Sequence, residues 1–130
     1  MSALTNHAEK ALLDWMSGAA NPTRPSALYL ALFTTATSEA GGGTELSGNG
    51  YAREAVTFSA ATTPDGNTSN SAEVTFTASG GNWGSITHAA LMDAATGGNM
   101  WFQGPLSSSR TINDGDTLSF AAGAVDLTLA

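Results

Sequence analysis

Cysteine is absent from the chain and basic residues nearly so: Lys10, Arg24, Arg53 and Arg110 are the only Lys or Arg side chains. Without cysteine there are no disulfides, thiolate metal ligands or cysteine nucleophiles. The absence also fits assembly in a reducing compartment. Nucleic-acid binding relies on cations that displace counterions from phosphates, and four scattered ones make no basic patch. The same shortage disfavours an anionic membrane surface. Acidic residues number 11, which leaves a net charge of -7. Long apolar runs are missing too. Asp14 separates Leu12 and Leu13 from Trp15, so neither a cleaved leader nor a membrane span is expected.

What remains is a chain rich in Ser, Thr, Gly, Asn and Ala, soluble through hydroxyls and amides more than through charge. Its 130 residues suit a single domain, and a chain of that size can bury a core without staples. The expected division is an N-terminal helix over 1–19, a connector over 20–26 and a β-sandwich over 27–130. Ala8, Ala11, Leu12, Trp15 and Met16 fall at helical spacing and make one apolar stripe. Thr5 or Asn6 can cap the helix start, and Gly18 can supply its left-handed stop. Asn21-Pro22-Thr23-Arg24-Pro25 then reads as a stiff connector, because its two prolines fix φ and remove donors.

From Ala27 the period changes to two. Leu28, Leu30 and Leu32 share one face of a strand, and Tyr29, Ala31 and Phe33 share the other. A strand apolar on both faces belongs in the middle of a structure, here with the helix stripe against one side. Tyr51 to Phe58 reads as a second strand, with Ala52, Val56 and Phe58 on one face and Arg53 and Thr57 on the other. Pro64-Asp65-Gly66 sets a turn. Ala72, Val74 and Phe76 alternate with Glu73, Thr75 and Thr77, and Ile86 to Met92 pairs with a return strand from Met100-Trp101-Phe102. Asn113-Asp114-Gly115-Asp116 turns the chain into Leu118 and Phe120. Gly123 separates that strand from a last one, where Val125, Leu127 and Leu129 alternate with Asp126 and Thr128. Short strands with frequent turn signals predict a mostly β fold: an antiparallel β-sandwich, jelly-roll or immunoglobulin-like, with one N-terminal α-helix.

Chemistry is sparse in this pattern. His88, Asp93 and a serine could be assembled into a hydrolytic triad, but no nucleophile-elbow glycines surround any serine, and a sheet histidine is the plainer reading. Asn113, Asp114 and Asp116 offer oxygens around Gly115. The bidentate acid of a calcium loop is missing, and the residues explain themselves as turn formers. No catalytic residue, metal site or cofactor is expected. Gly41-Gly42-Gly43 lacks the Lys-Ser/Thr of a phosphate loop and reads as a flexible tip within the polar loop from Thr34 to Asn49, of a kind that often carries contacts. Trp83, set between Asn82 and Gly84, is expected to be exposed and Trp101 half in the core. Trp83 and Trp101 together could form a sugar-stacking platform, although buried aromatics are the commoner case in a small sandwich. The candidate partner contacts are therefore Trp15, Gly41, Gly42, Gly43 and Trp83.

Four blocks carry a resemblance. They are Tyr51-Ala52-Arg53-Glu54-Ala55-Val56-Thr57-Phe58, Ser69-Asn70-Ser71-Ala72-Glu73-Val74-Thr75-Phe76, Trp83-Gly84-Ser85-Ile86-Thr87-His88 running on through Asp93-Ala94-Ala95-Thr96-Gly97-Gly98-Asn99, and Asn113-Asp114-Gly115-Asp116-Thr117-Leu118 with Phe120-Ala121-Ala122-Gly123. With the early Leu30-Ala31-Leu32-Phe33-Thr34-Thr35, they resemble a family of small tailed-phage proteins labelled phage tail fibre proteins. The resemblance implies a non-enzymatic virion component, assembled in the host cytoplasm, that touches other phage structural proteins of the tail or the major capsid protein. It offers no catalytic residues to carry over. A homo-oligomer is expected, because low charge and a helix stripe containing Trp15 ask for a partner; the trimer is the first guess only as the habit of phage fibres and capsid decorations, which the resemblance implies. Two alternatives stand beside the tail reading: a capsid decoration protein that cements the head shell, and a module that binds host surface glycan.

Overall fold

The structure is a computed structural model that describes residues 3–63 and 66–128. Its elements run β1 (Ala3–Leu4), α1 (Asn6–Ser17), β2 (Leu28–Phe33), β3 (Glu54–Val56), β4 (Asn67–Ser69), β5 (Val74–Thr77), β6 (Gly84–Met92), β7 (Met100–Ile112), β8 (Thr117–Phe120) and β9 (Asp126–Thr128). The fold is mostly β and sandwich-like. One five-stranded antiparallel sheet, ordered β1-β7-β6-β2-β3, forms the larger layer. Facing it are two short antiparallel pairs, β5 with β8 and β4 with β9. The turn residues Pro64 and Asp65 and the terminal Leu129 lie outside the described residues.

The two-faced pattern of Leu28–Phe33 has a direct consequence. Leu30 and Leu32 point into the main core with Ile86, Leu91, Phe76, Leu118, Val125 and Leu127. Ala31 and Phe33 point the other way and make a second, smaller cluster with Ala90, Met92 and Met100. That outer face is covered by the loop after β2, not by the helix stripe. A Cβ on Gly43 would lie 3.1 Å from the Phe33 ring, and the Thr37 hydroxyl is 2.7 Å from Oε1 of the buried Gln103. The loop is tied to the helix start as well, where the Asn6 amide donates to Glu39 O at 2.8 Å.

The helix forms as its ends dictate. Thr5 Oγ1 accepts from the Ala8 amide at 3.2 Å, and Gly18 closes the helix at φ 76°. Its packing departs from expectation. Of the stripe, only Ala8 is buried, and α1 rests chiefly on β7 and β1 instead of on β2. The cause lies beyond the helix: Thr5 anchors it to the start of β7 through Trp101 O, so one turn docks and the rest projects along the connector.

The second predicted strand is also shorter than the alternation of Tyr51 to Phe58 implied. Only Glu54–Val56 pairs with β2. Further along, the β2 edge is taken by other groups. The Leu46 amide donates to Leu32 O at 3.0 Å, and the Leu32 amide donates to the Tyr51 hydroxyl at 3.1 Å. Ala52, expected on the inner face, is exposed.

Candidate interaction surface

Trp15 is 65% exposed, and it heads a patch with Leu12, Leu13 and Met16 at 37%, 58% and 71%. These four are the large apolar side chains that stand exposed among the described residues, and all belong to α1. An amphipathic helix of a folded domain ordinarily buries such residues. Beside them the connector folds back to make a groove of about 500 Å³, walled by Ala11, Leu12 and Trp15 on one side and by Pro22, Arg24 and Pro25 on the other, with Trp101 also lining it.

Trp83 is a correction. It was expected at the surface, and it is 7% exposed. Its ring meets Tyr51 edge-on at 5.7 Å, and its Nε1 donates to Asn49 O at 2.9 Å. The flanking Asn82 and Gly84 do make a bend, but the indole turns inward from it and closes the end of the core where β6 and β7 begin and finish. Trp101 is half-buried as expected, its Nε1 donating to Asp93 Oδ2 at 3.1 Å and its ring meeting His7 edge-on at 5.1 Å. Trp83 is therefore not available to stack on a sugar.

The glycine run is pinned rather than free-standing. Ser38 and Gly41 exchange backbone hydrogen bonds at 2.9 and 3.0 Å around Glu39 and Ala40. Gly41, Gly42 and Gly43 have φ of 94°, 86° and 82°, conformations that L side chains rarely adopt. At Gly43 a Cβ would also press on Thr37, Ala36 and Phe33 at 3.0 to 3.1 Å. Gly42 is the residue of the three with nothing near it and an exposed surface.

His88 and Asp93 do not converge. His88 Nδ1 sits 2.8 Å from Thr87 Oγ1. Asp93 instead accepts from the Asn99 amide at 2.7 Å and from the Trp101 indole, closing the β6–β7 turn. Burial pushes the Asp93 carboxyl upward, but these donors outweigh it and hold the group below the ordinary aspartate value. The acidic turn likewise spends its oxygens on backbone: Asp116 accepts from the Asn113 amide at 2.9 Å, and Asp114 from the Gly80 amide at 3.0 Å. Among the described residues no three His, Asp or Glu side chains gather as metal ligands, and no helix is long and apolar enough to cross a membrane.

One polar network escaped sequence reasoning. The Arg53 guanidinium, 7% exposed, donates to both Glu45 oxygens at 2.8 Å and to Ala94 O and Gly97 O at 2.7 Å. The Tyr51 hydroxyl donates to Glu45 at 2.7 Å. Burial raises the Glu45 carboxyl, yet Arg53 and Tyr51 together hold it below its usual value. Burial, and then the bond to Glu45, raise the Tyr51 phenol. The Tyr-Ala-Arg-Glu run in the first resembling block is thus a clamp between the loop before β3 and the β6–β7 turn. An arginine expected on the polar face of a strand was the available signal, but its partners lie 8, 41 and 44 residues away.

Comparison with known proteins gives one family. The profile described as podophage GP4 fiber I protein gp80 matches residues 3–128. No curated protein matches the chain.

Proposed function

Because the chain belongs to the podophage GP4 fiber I protein gp80 family, a family of phage structural fibre proteins, we propose that it is a tail-associated accessory of the virion. Its work is protein–protein contact, without catalysis, and it folds as a single domain. The family match over residues 3–128 carries this reading. The fold supports it in two ways: the titratable side chains that could have made a reaction centre are committed to turns and clamps, and the exposed apolar surface sits on one helix. These 130 residues carry neither heptads nor repeats, in keeping with a compact piece that sits beside larger tail proteins.

The protein is present in several copies on the fibre, three per assembly, and reaches the virion from the host cytoplasm. Trp15 and the loop glycines Gly41, Gly42 and Gly43 stay as partner contacts; the buried Trp83 does not. Copy number against the major capsid protein in purified particles tests the address. A few to a few dozen copies per particle is the expected result. A ratio near one per capsid subunit would overturn it in favour of shell decoration, and loss of adsorption to host glycan on altering Trp15 alone would favour receptor binding.

A further inference from the structure

We infer that the groove between α1 and the connector receives the α1 helix of a second copy of this chain. The inference rests on the proposed multi-copy assembly and names its contact. The groove supplies apolar walls and one cation. Two of the four basic residues are already engaged, Lys10 with Asp14 and Arg53 with Glu45. Arg24 has no ion pair among the described residues and lines the groove beside Trp15 and Pro22. An occupant must therefore bring apolar side chains together with a carboxylate.

The same helix carries both. Glu9, Leu13 and Met16 follow one another at i, i+4 and i+7, so they form one ridge adjacent to the groove-lining Ala11, Leu12 and Trp15. Glu9 is exposed, as are Leu13 and Met16. Each copy thus presents a ridge and, next to it, a hole of matching chemistry. Seating the ridge of one copy in the hole of the next buries both exposed apolar sets and brings Glu9 to Arg24. The four side chains expose on the order of 400 Å² of apolar surface, divided in each contact between the ridge of one copy and the hole of the next, so the contact is a small one beside the roughly 800 Å² per partner of a standard interface and associates weakly. A ridge-to-hole contact is heterologous, and it closes as a ring when the rotation allows.

The intact chain tests this by sedimentation equilibrium over micromolar to millimolar concentration. Met16→Glu and Leu13→Glu each weaken association at least about tenfold, as central apolar anchors do. Arg24→Glu and Glu9→Lys each weaken it roughly fivefold through a like-charge encounter, and the double exchange restores it. Rescue by the double exchange is specific to copies meeting each other, since a foreign partner would keep its own charge. Circular dichroism and melting of each variant monitor the fold, which these exposed positions should leave intact. Association that survives Met16→Glu and Leu13→Glu overturns the inference, as does a double exchange that fails to rescue. A chain monomeric at millimolar concentration overturns it too and assigns the face to another virion protein. In that case a fibre-level copy number on the particle would still leave the tail-accessory reading standing.

Discussion

Two tryptophans, Trp15 and Trp83, sit in regions that solve the same problem in opposite ways. Around Trp83 the chain behaves as a closed core: Phe76, Ile112 and the indole itself leave almost nothing in solvent, the partly buried Tyr51 packs against them, and even the ring nitrogen has a partner. Around Trp15 the chain leaves an apolar helix face uncovered. Both residues are equally hydrophobic, so the difference is one of placement. The core tryptophan holds this molecule together, whereas the helix tryptophan holds nothing within it. If the exposed helix face is the proposed assembly contact, stability and assembly fall to separate regions, and mutations should sort accordingly.

The largest effect belongs to the core. Phe76 is 1% exposed, stacks at 6.3 Å on Tyr51 and meets Phe120 edge-on at 6.2 Å. Phe76→Ala should cost about 3–5 kcal/mol through lost burial and the cavity left between the layers. For a chain this small that is a large share of its total stability, so denaturant unfolding should show a much lower midpoint or no folded baseline. A loss under about 1 kcal/mol would mean that the two layers are less closely packed than the burial indicates.

Next comes the clamp. Arg53→Ala leaves Glu45 without its cation, with only the Tyr51 hydroxyl still donating to it, and frees the carbonyls of Ala94 and Gly97 in a partly buried setting. The expected cost is about 2–4 kcal/mol, read from the same unfolding midpoint. Arg53→Lys should recover only part of it, because an ammonium cannot reproduce the two-pronged bond to Glu45 while reaching both carbonyls.

A smaller effect follows from acid. Glu45 and Asp93 titrate below their ordinary values in the folded chain, so the unfolded chain binds protons first as pH falls. Their contribution is complete above the unfolded carboxylate range, near about pH 4, and is lost as pH drops through the folded values. The melting temperature should therefore fall from pH 5 downward, with a shallower fall in Glu45→Gln. An unchanged slope in that variant would place the acid sensitivity elsewhere.

What could be read in advance follows the range of the interactions. The helix limits, the two faces of Leu28–Phe33, the β6–β7 hairpin and the Val74–Phe76 alternation all depend on spacing within a few residues, and the mostly β sandwich follows from them. The errors share a different cause. Trp83 has the flanks of an exposed turn, but its ring is placed by Asn49 and Tyr51, more than 30 residues earlier. Tyr51 to Arg53 has strand alternation, but the edge it would pair with is occupied by Leu46 and the Tyr51 hydroxyl. The helix stripe was correctly apolar, yet nothing local says whether a stripe faces its own sheet or a partner. Arg53 was visible as a residue and not as a clamp, because its importance is set by two other segments, the loop holding Glu45 and the β6–β7 turn with Ala94 and Gly97.

The smallest effect is the sharpest test of the contrast between the two tryptophans. Trp15→Ser removes the largest exposed apolar side chain, and Trp and Ser differ little in helix propensity. At 65% exposure the indole has little burial to lose within one chain. Unfolding at low micromolar concentration should therefore shift by less than about 0.5 kcal/mol, as for a surface substitution. Raising the concentration should separate the two proteins. If α1 faces are covered by other copies, the wild type gains apparent stability by mass action and Trp15→Ser does not. Melting temperatures that coincide when dilute and diverge when concentrated are the expected outcome. A large loss in dilute solution would show instead that Trp15 belongs to the fold, and the division between a core that stabilises and a helix that assembles would fail.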